Sequence, residues 1–174
     1  MNKLLFLIKK PPVIATLGRF YSGLLDKKKF LIFETNFKEL GKINFFIKKS
    51  KKTILAIERI KTKEEILEIK KTLKILPASA FLVLNFDDDR TRGLKNFNNC
   101  LTYGFFKKAD LRATDLSIDF KGANLKINYQ GNIVPFWIKG LFQKEELYGY
   151  LAAIGAGLIL GLNLVEMSQK IKSR

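Results

Sequence analysis

The run Leu84-Asn85-Phe86-Asp87-Asp88 follows an apolar stretch of strand length and sets an amide and two carboxylates close together. At the carboxyl end of a parallel strand, such groups sit where open α/β sheets bind ligands; they suit a nucleotide base, a ribose or Mg²⁺. The alternative is a plain solvated turn, because Asn and Asp favour turns by themselves. Imidazole chemistry is excluded, since the 174 residues include no His. Every triad or dyad that needs His, and His-ligated zinc, goes with it. One cysteine, Cys100, excludes disulfide frameworks and thiolate-cluster metal sites, and it suits a reducing compartment.

Charge adds a second chemistry. Lys and Arg number 32 against 16 Asp and Glu, a net charge of +16. Residues 1–80 carry a net +12 and residues 81–174 a net +4. Such a field attracts polyanions, whether nucleic acid, anionic lipid or nucleotide phosphate. The lysines are spread along the chain, with short runs such as Lys27–Lys29 and Lys51–Lys52, as solvated faces would also have them. Phe97, Phe105 and Phe106 lie near Lys95, Lys107 and Lys108 and could stack bases if exposed. Otherwise they are core or sheet-edge aromatics.

The length and an apolar content of 47% allow one domain with a real core. Met1–Lys10 is a poor signal peptide and reads as a first strand or short helix. Val13–Leu17, Phe30–Phe33, Thr53–Ile57 and Ala80–Leu84 are short, nearly continuous apolar runs, the pattern of strands buried on both faces. Between them, Asn36–Ile47 places Leu40, Ile43 and Ile47 on one helical face. In Thr62–Leu76, Thr62 and Glu65 form a capping box, Ile66, Ile69, Leu73 and Leu76 a stripe, and Pro77 a stop. This alternation predicts βαβ units and a mainly parallel sheet over residues 1–89.

Residues 90–142 change pattern. Leu101–Phe105, Asp110–Phe120, Asn124–Tyr129 and Ile133–Ile138 read as half-exposed antiparallel strands. Leu116, Ile118 and Phe120 alternate with polar residues, and hairpin turns fall at Lys121-Gly122 and Gln130-Gly131-Asn132. Residues 143–174 close the chain. Leu147–Val165 is uncharged for 19 residues and just reaches membrane-spanning length, with Lys170, Lys172 and Arg174 after it. Its small residues also suit a core helix broken near Gly161, with Asn163 capping a second helix and Glu166 at its third position.

Leu84–Asp88, Leu101-Thr102-Tyr103-Gly104-Phe105 and Ala109-Asp110-Leu111-Arg112-Ala113-Thr114 resemble the central domain of the Mur ligases. The nearest type adds D-alanyl-D-alanine to the UDP-N-acetylmuramoyl tripeptide. The likeness continues through Leu125–Tyr129, Gly131, Val134-Pro135 and Leu151-Ala152-Ala153 to Gly161–Glu166. Phe30–Phe33 with Glu34 resembles the family strand that ends in a Mg²⁺-linked Glu, Thr53–Ile57 the next strand, and Glu64–Pro77 the helix of the modified lysine, for which Lys70 is the candidate. The resemblance implies an α/β fold: a mainly parallel P-loop-like sheet flanked by helices, an antiparallel hairpin extension and a C-terminal helix pair. It also implies ATP and Mg²⁺ as cofactors of a cytoplasmic amide ligase of peptidoglycan synthesis.

The departures from the family pattern bear on activity. A P-loop, G-x-x-x-x-G-K-[ST], cradles phosphates with glycine amides and a lysine. Gly18 and Gly23 have the right separation, but Leu24 and Leu25 then stand for the Lys and the hydroxyl. The preferred register sets Ala15–Phe20 against the family's G-T-x-G-K-[ST], keeping Thr16 and Gly18. Arg19 replaces the Lys, and Phe20 replaces the Mg²⁺-binding hydroxyl and adds bulk that should plug the cradle. Only Glu58–Lys63 stands where the family has a longer, His-containing stretch, and Glu145 and Glu146 replace a His and an amide before the last helices. The flanking UDP-sugar and amino-acid domains of the family have no counterpart in residues 1–174. The resemblance therefore implies a domain without catalytic residues of its own. Residual nucleotide contacts would fall to Gly18, Arg19, Asn85, Asp87 and Asp88, with Glu34 for Mg²⁺, and a full-length ligase or complementary subunit would be the partner. The competing readings are a basic module for a polyanion or a partner ligase, and a small protein anchored in the membrane by Leu147–Val165.

Overall fold

The structure, a computed structural model, describes residues 3–97, 99–141 and 143–173; Arg174 lies outside them. Eight strands form one sheet: β1 (Val13–Leu17), β2 (Leu31–Thr35), β3 (Thr53–Ile57), β4 (Phe81–Asn85), β5 (Cys100–Gly104), β6 (Leu111–Ile118), β7 (Gly122–Tyr129) and β8 (Asn132–Lys139). The order across the sheet is β2-β1-β3-β4-β5-β6-β7-β8. Pairing is parallel from β2 to β6 and antiparallel from β6 to β8. The helices are α1 (Lys3–Lys9), α2 (Asn44–Lys49), α3 (Lys63–Ile75), the single turn α4 (Asp89–Arg92), α5 (Leu147–Ile159) and α6 (Leu164–Lys172).

Alternation along each strand builds the two faces. Leu55 and Ile57 of β3 join Val13, Ala15, Leu17, Leu82 and Leu84 beneath α1, α2 and α3. Ile54 and Ala56 join Ile14, Val83, Leu101 and Tyr103 beneath α5 and α6. The result is a three-layer sandwich, as the βαβ reading predicts.

Local chemistry sets the ends. At α3, Thr62 Oγ1 accepts from Glu65 N (3.2 Å) and Glu65 Oε2 accepts from Thr62 N (3.3 Å), closing the capping box. The apolar stretch from Leu147 is a core helix, with nine of the thirteen α5 residues buried. Gly161 (φ +86°) ends it, and Asn163 Oδ1 accepts from Val165 N (2.7 Å) and Glu166 N (3.4 Å) to start α6. A Cβ on Gly155 would stand 3.0 Å from Val83 Cγ1 and 3.1 Å from Leu101 Cδ2, so a glycine lets α5 lie flat on the sheet. No helix among the described residues is long and apolar enough to cross a membrane.

Several expectations change. Lys3–Lys9 is a helix, the second of the two alternatives. β2 is the sheet edge, so it is half-buried instead of covered on both faces. The helix expected over Asn36–Ile47 is a 3₁₀ turn (Leu40–Ile43) followed by α2, with Gly41 inside the turn, where a continuous α-helix is disfavoured. Its stripe of Leu40, Ile43 and Ile47 is buried nonetheless. β5 was expected in the antiparallel extension but is a parallel inner strand, buried from Leu101 to Gly104. In β6 a bulge between Thr114 and Ser117, with Asp115 at φ +53°, breaks the alternation. Leu116 stays half-buried, but Ile118 and Phe120 are 37% and 84% exposed. The first hairpin turns on Phe120-Lys121, one residue earlier than expected, with Asp119 N donating to Gly122 O (2.9 Å). The second is at Gln130-Gly131 as predicted, both at positive φ as a type I′ turn requires.

Candidate functional site

Parallel strands deliver their carboxyl ends to one edge of the sheet. Strand addition reverses at β1, with β2 on one side and β3 on the other, and a crevice is expected above that point. A cavity of about 490 Å³ lies there, between Gly18 and Arg19 after β1, Thr35 at the end of β2, and Glu58, Arg59 and Lys61 after β3.

One carboxylate organises this crevice. Glu58, nearly buried, accepts from the main-chain N–H of Arg19 and from Arg19 Nη1 (3.2 Å). The same Nη1 donates to the Glu145 carbonyl (3.0 Å). Gly18 has φ +115°, and a Cβ there would meet Glu58 Cβ at 2.5 Å, so the loop closes on Glu58 only with glycine. Between β1 and β2 the chain forms only a 3₁₀ turn, Ser22–Leu24, with Leu24 and Leu25 in the core under α5. Tyr21 N donates to Gly149 O (3.0 Å), tying this loop to the first turn of α5. Phe20 packs onto the same core and does not line the crevice. The group beside Gly18 is therefore the Glu58 carboxylate and not a phenyl ring.

The run after β4 is bonded to its own chain. Asp87 accepts from Phe105 N (2.8 Å), Phe106 N (2.9 Å) and Tyr148 Oη (3.0 Å). Gly104 (φ +152°) permits this, since a Cβ would stand 2.6 Å from Asp87 Oδ1. Buried Asn85 accepts from Asp87 N (3.0 Å). Asp88 caps α4, accepting from Thr91 N (2.9 Å) and Thr91 Oγ1 (2.6 Å). Burial, then the charge of Asp87 and the bond to it, pushes the Tyr148 phenol well above its usual range. Tyr103 is wholly buried, and its hydroxyl has no hydrogen-bond partner among the described residues. Burial first, then the charges of Glu58, Tyr148, Asp87 and Asp88, holds it protonated.

The structure brings Gly18, Arg19 and Glu58 together, and separately Asn85, Asp87, Asp88 and Tyr148. It does not bring Glu34 and Lys70 together. Glu34 is exposed and shares the β2 face of Ile32, on the α5–α6 side, whereas Lys70 is exposed on α3, across the sheet. Among the described residues, no group of three Asp, Glu or Cys side chains is placed to hold a metal ion. Phe97 packs in the α3-side core and Phe105 in the α5-side core, so with Phe106 they form no single stacking platform. Sequence reasoning gave Glu58 and Tyr103 no site role. A charged residue directly after the apolar run Ile54–Ile57 is the available signal for Glu58; Tyr103 gives none, because it reads as core.

No protein-family model matches the chain. Over 103 residues, 56% of the chain and 22% of the relative, it is 29% identical to the UDP-N-acetylmuramate--L-alanine ligase of Caldanaerobacter subterraneus subsp. tengcongensis. Its fold matches a crystal structure of MurF from Acinetobacter baumannii with a TM-score of 0.75 at 14% identity, covering 95% of this chain and 46% of that one. It also matches MurF ligase from Thermotoga maritima in complex with ADP, with a TM-score of 0.67 at 20% identity, covering 99% and 44%. The chain thus spans under half the length of each of these proteins. In fold over nearly its whole length, and in sequence over about half of it, the chain is similar to Mur ligases.

Proposed function

We propose that residues 1–174 form a single Mur-ligase-type central domain whose phosphate cradle is closed from within, so that the chain does not carry out ATP-dependent ligation by itself. The kinship with peptidoglycan ligases, one of them bound to ADP, supports the ancestry. The contact between Glu58 and Arg19 carries the rest. The amide and guanidinium that a phosphate needs are bonded to an internal carboxylate. A phosphate oxygen about 4 Å from that carboxylate would be repelled by about 4 kcal/mol, roughly a thousandfold in affinity. No α-helix follows β1, so the positive helix end that usually meets a phosphate there is lacking. The residues present therefore do not fit Mg·ATP.

In this reading Asn85, Asp87 and Asp88 fix the loop after β4 to its neighbours, Gly18 and Arg19 form the closed cradle, and Glu34 and Lys70 are solvated charges. The chain works in the cytoplasm beside a full-length ligase or a complementary ligase subunit. The second reading, a basic docking module, is favoured by the surface around α1 and α2. The full chain, given Mg·ATP, UDP-muramoyl tripeptide and D-alanyl-D-alanine, should release no phosphate above the blank. Millimolar Mg·ATP should leave its Tm unmoved, whereas saturation at 100 times Kd would add about 2.7 kcal/mol. Turnover by this chain alone overturns the proposal.

A further inference from the structure

Of ten exposed large apolar residues among those described, four belong to α1: Leu4, Leu5, Leu7 and Ile8, exposed by 70, 41, 39 and 74%. Phe6 anchors the helix, wholly buried against Phe46 (ring centroids 4.9 Å apart) and Phe45 (6.1 Å), and Lys3 Nζ lies 5.2 Å from the centroid of the Phe45 ring. Every charged residue of α1 and α2 is cationic. Lys3, Lys9 and Lys10 flank the apolar residues, and Lys48 and Lys49 end α2, whose aromatic rings hold Phe6. Lys51 follows Ser50, whose hydroxyl donates to Pro11 O (2.9 Å). Residues 1–25 and 40–57 contain no Asp or Glu at all.

We propose that α1 and the adjoining lysines of α2 lay this domain on an anionic bilayer, with Leu4 and Ile8 entering the acyl boundary and the ammonium groups meeting lipid phosphates. Apolar side chains alone would suit a protein groove, and lysines alone would suit RNA. The two interleaved, with no acidic residue among them, match a surface that is anionic outside and hydrocarbon beneath. The contact is interfacial, not spanning, and it uses a different element from the Leu147–Val165 segment that the sequence nominated. It is independent of the Mur ligase reading.

The full chain should co-sediment with phosphatidylcholine vesicles holding about a third phosphatidylglycerol, and not with phosphatidylcholine alone. Replacing Lys3, Lys9 and Lys10 with Gln should weaken binding about a hundredfold, on the order of fivefold per lysine. Leu4→Ser with Ile8→Ser should weaken it more than tenfold and leave Tm unchanged, because both side chains are exposed. No binding to the anionic vesicles overturns the proposal, as does binding that the Leu4/Ile8 variant leaves intact. Tighter binding of single-stranded RNA that the same variant leaves intact assigns the surface to nucleic acid. Loss of a dimer in that variant, without vesicle binding, assigns it to a second copy of the chain.

Discussion

Glu58 directly follows β3, whose last four residues are all apolar, and its carboxylate reaches the donors of the loop beside it. Glu58→Gln keeps the oxygen that faces the Arg19 amide and removes the charge. Its affinity for inorganic pyrophosphate should rise at least tenfold over wild type in a competition assay. Asp87 makes a contrasting case: three donors converge on it, so Asp87→Ala should cost about 3 kcal/mol in urea denaturation. A loss below about 0.5 kcal/mol would mark it as a free surface group. Tyr103→Phe removes an unpaired buried hydroxyl and should stabilise by about 1 kcal/mol in the same assay; a loss of stability would reveal a partner for that hydroxyl. At this scale the sequence was partly readable. Gly18, Arg19, Asn85, Asp87 and Asp88 all lie at the carboxyl edge of the parallel strands, as expected. The bonding partners of Arg19 and Asp87, which are Glu58, Tyr148 and the Phe105 and Phe106 amides, are 18 to 61 residues away in sequence, and no local pattern announces them.

Elements were the most legible level where a single local rule decides. Thr62 and Glu65 sit at capping-box spacing and form the box, so Thr62→Ala should cost about 1 kcal/mol of stability. Gly161 and Asn163 mark the break between α5 and α6 for the same reason. Legibility failed where position in the sheet decides. Phe30–Phe33 has the composition of an inner strand yet forms the edge. Leu101–Phe105 was grouped with the antiparallel strands yet pairs in parallel on both sides. The bulge at Asp115 turned two apolar side chains outward, and alternation cannot foresee a residue at positive φ. α5 depends on close approach to β4 and β5, so Gly155→Val should cost about 1–3 kcal/mol by forcing Val83 and Leu101 to move. Unchanged urea stability would mean that α5 is not seated on the sheet.

At the scale of the molecule, a thiol and three phenols that burial keeps protonated give stability a dependence on pH. Cys100 is pushed up to about 12, by burial first and then by Asp110, and burial also raises Tyr103, Tyr148 and Tyr150. These groups hold their protons longer folded than unfolded. Their contribution is complete below the ordinary thiol value of 9.0 and is lost as pH rises through the folded values. Urea stability should therefore fall steadily between about pH 9 and 12, and Cys100→Ser should flatten the first part of that fall. The three-layer architecture follows from strand and helix alternation, and the likeness to Mur ligases from a few runs along the chain. What the crevice admits depends on a side chain that reaches back across the switch between β1 and β3. The most direct test is calorimetric titration of Mg·ATP into the full chain and into Glu58→Gln. We expect no binding to the wild-type chain at millimolar nucleotide and measurable binding once the carboxylate is neutralised. Micromolar binding to the wild-type chain, or identical titrations for the two, would contradict a cradle closed from within.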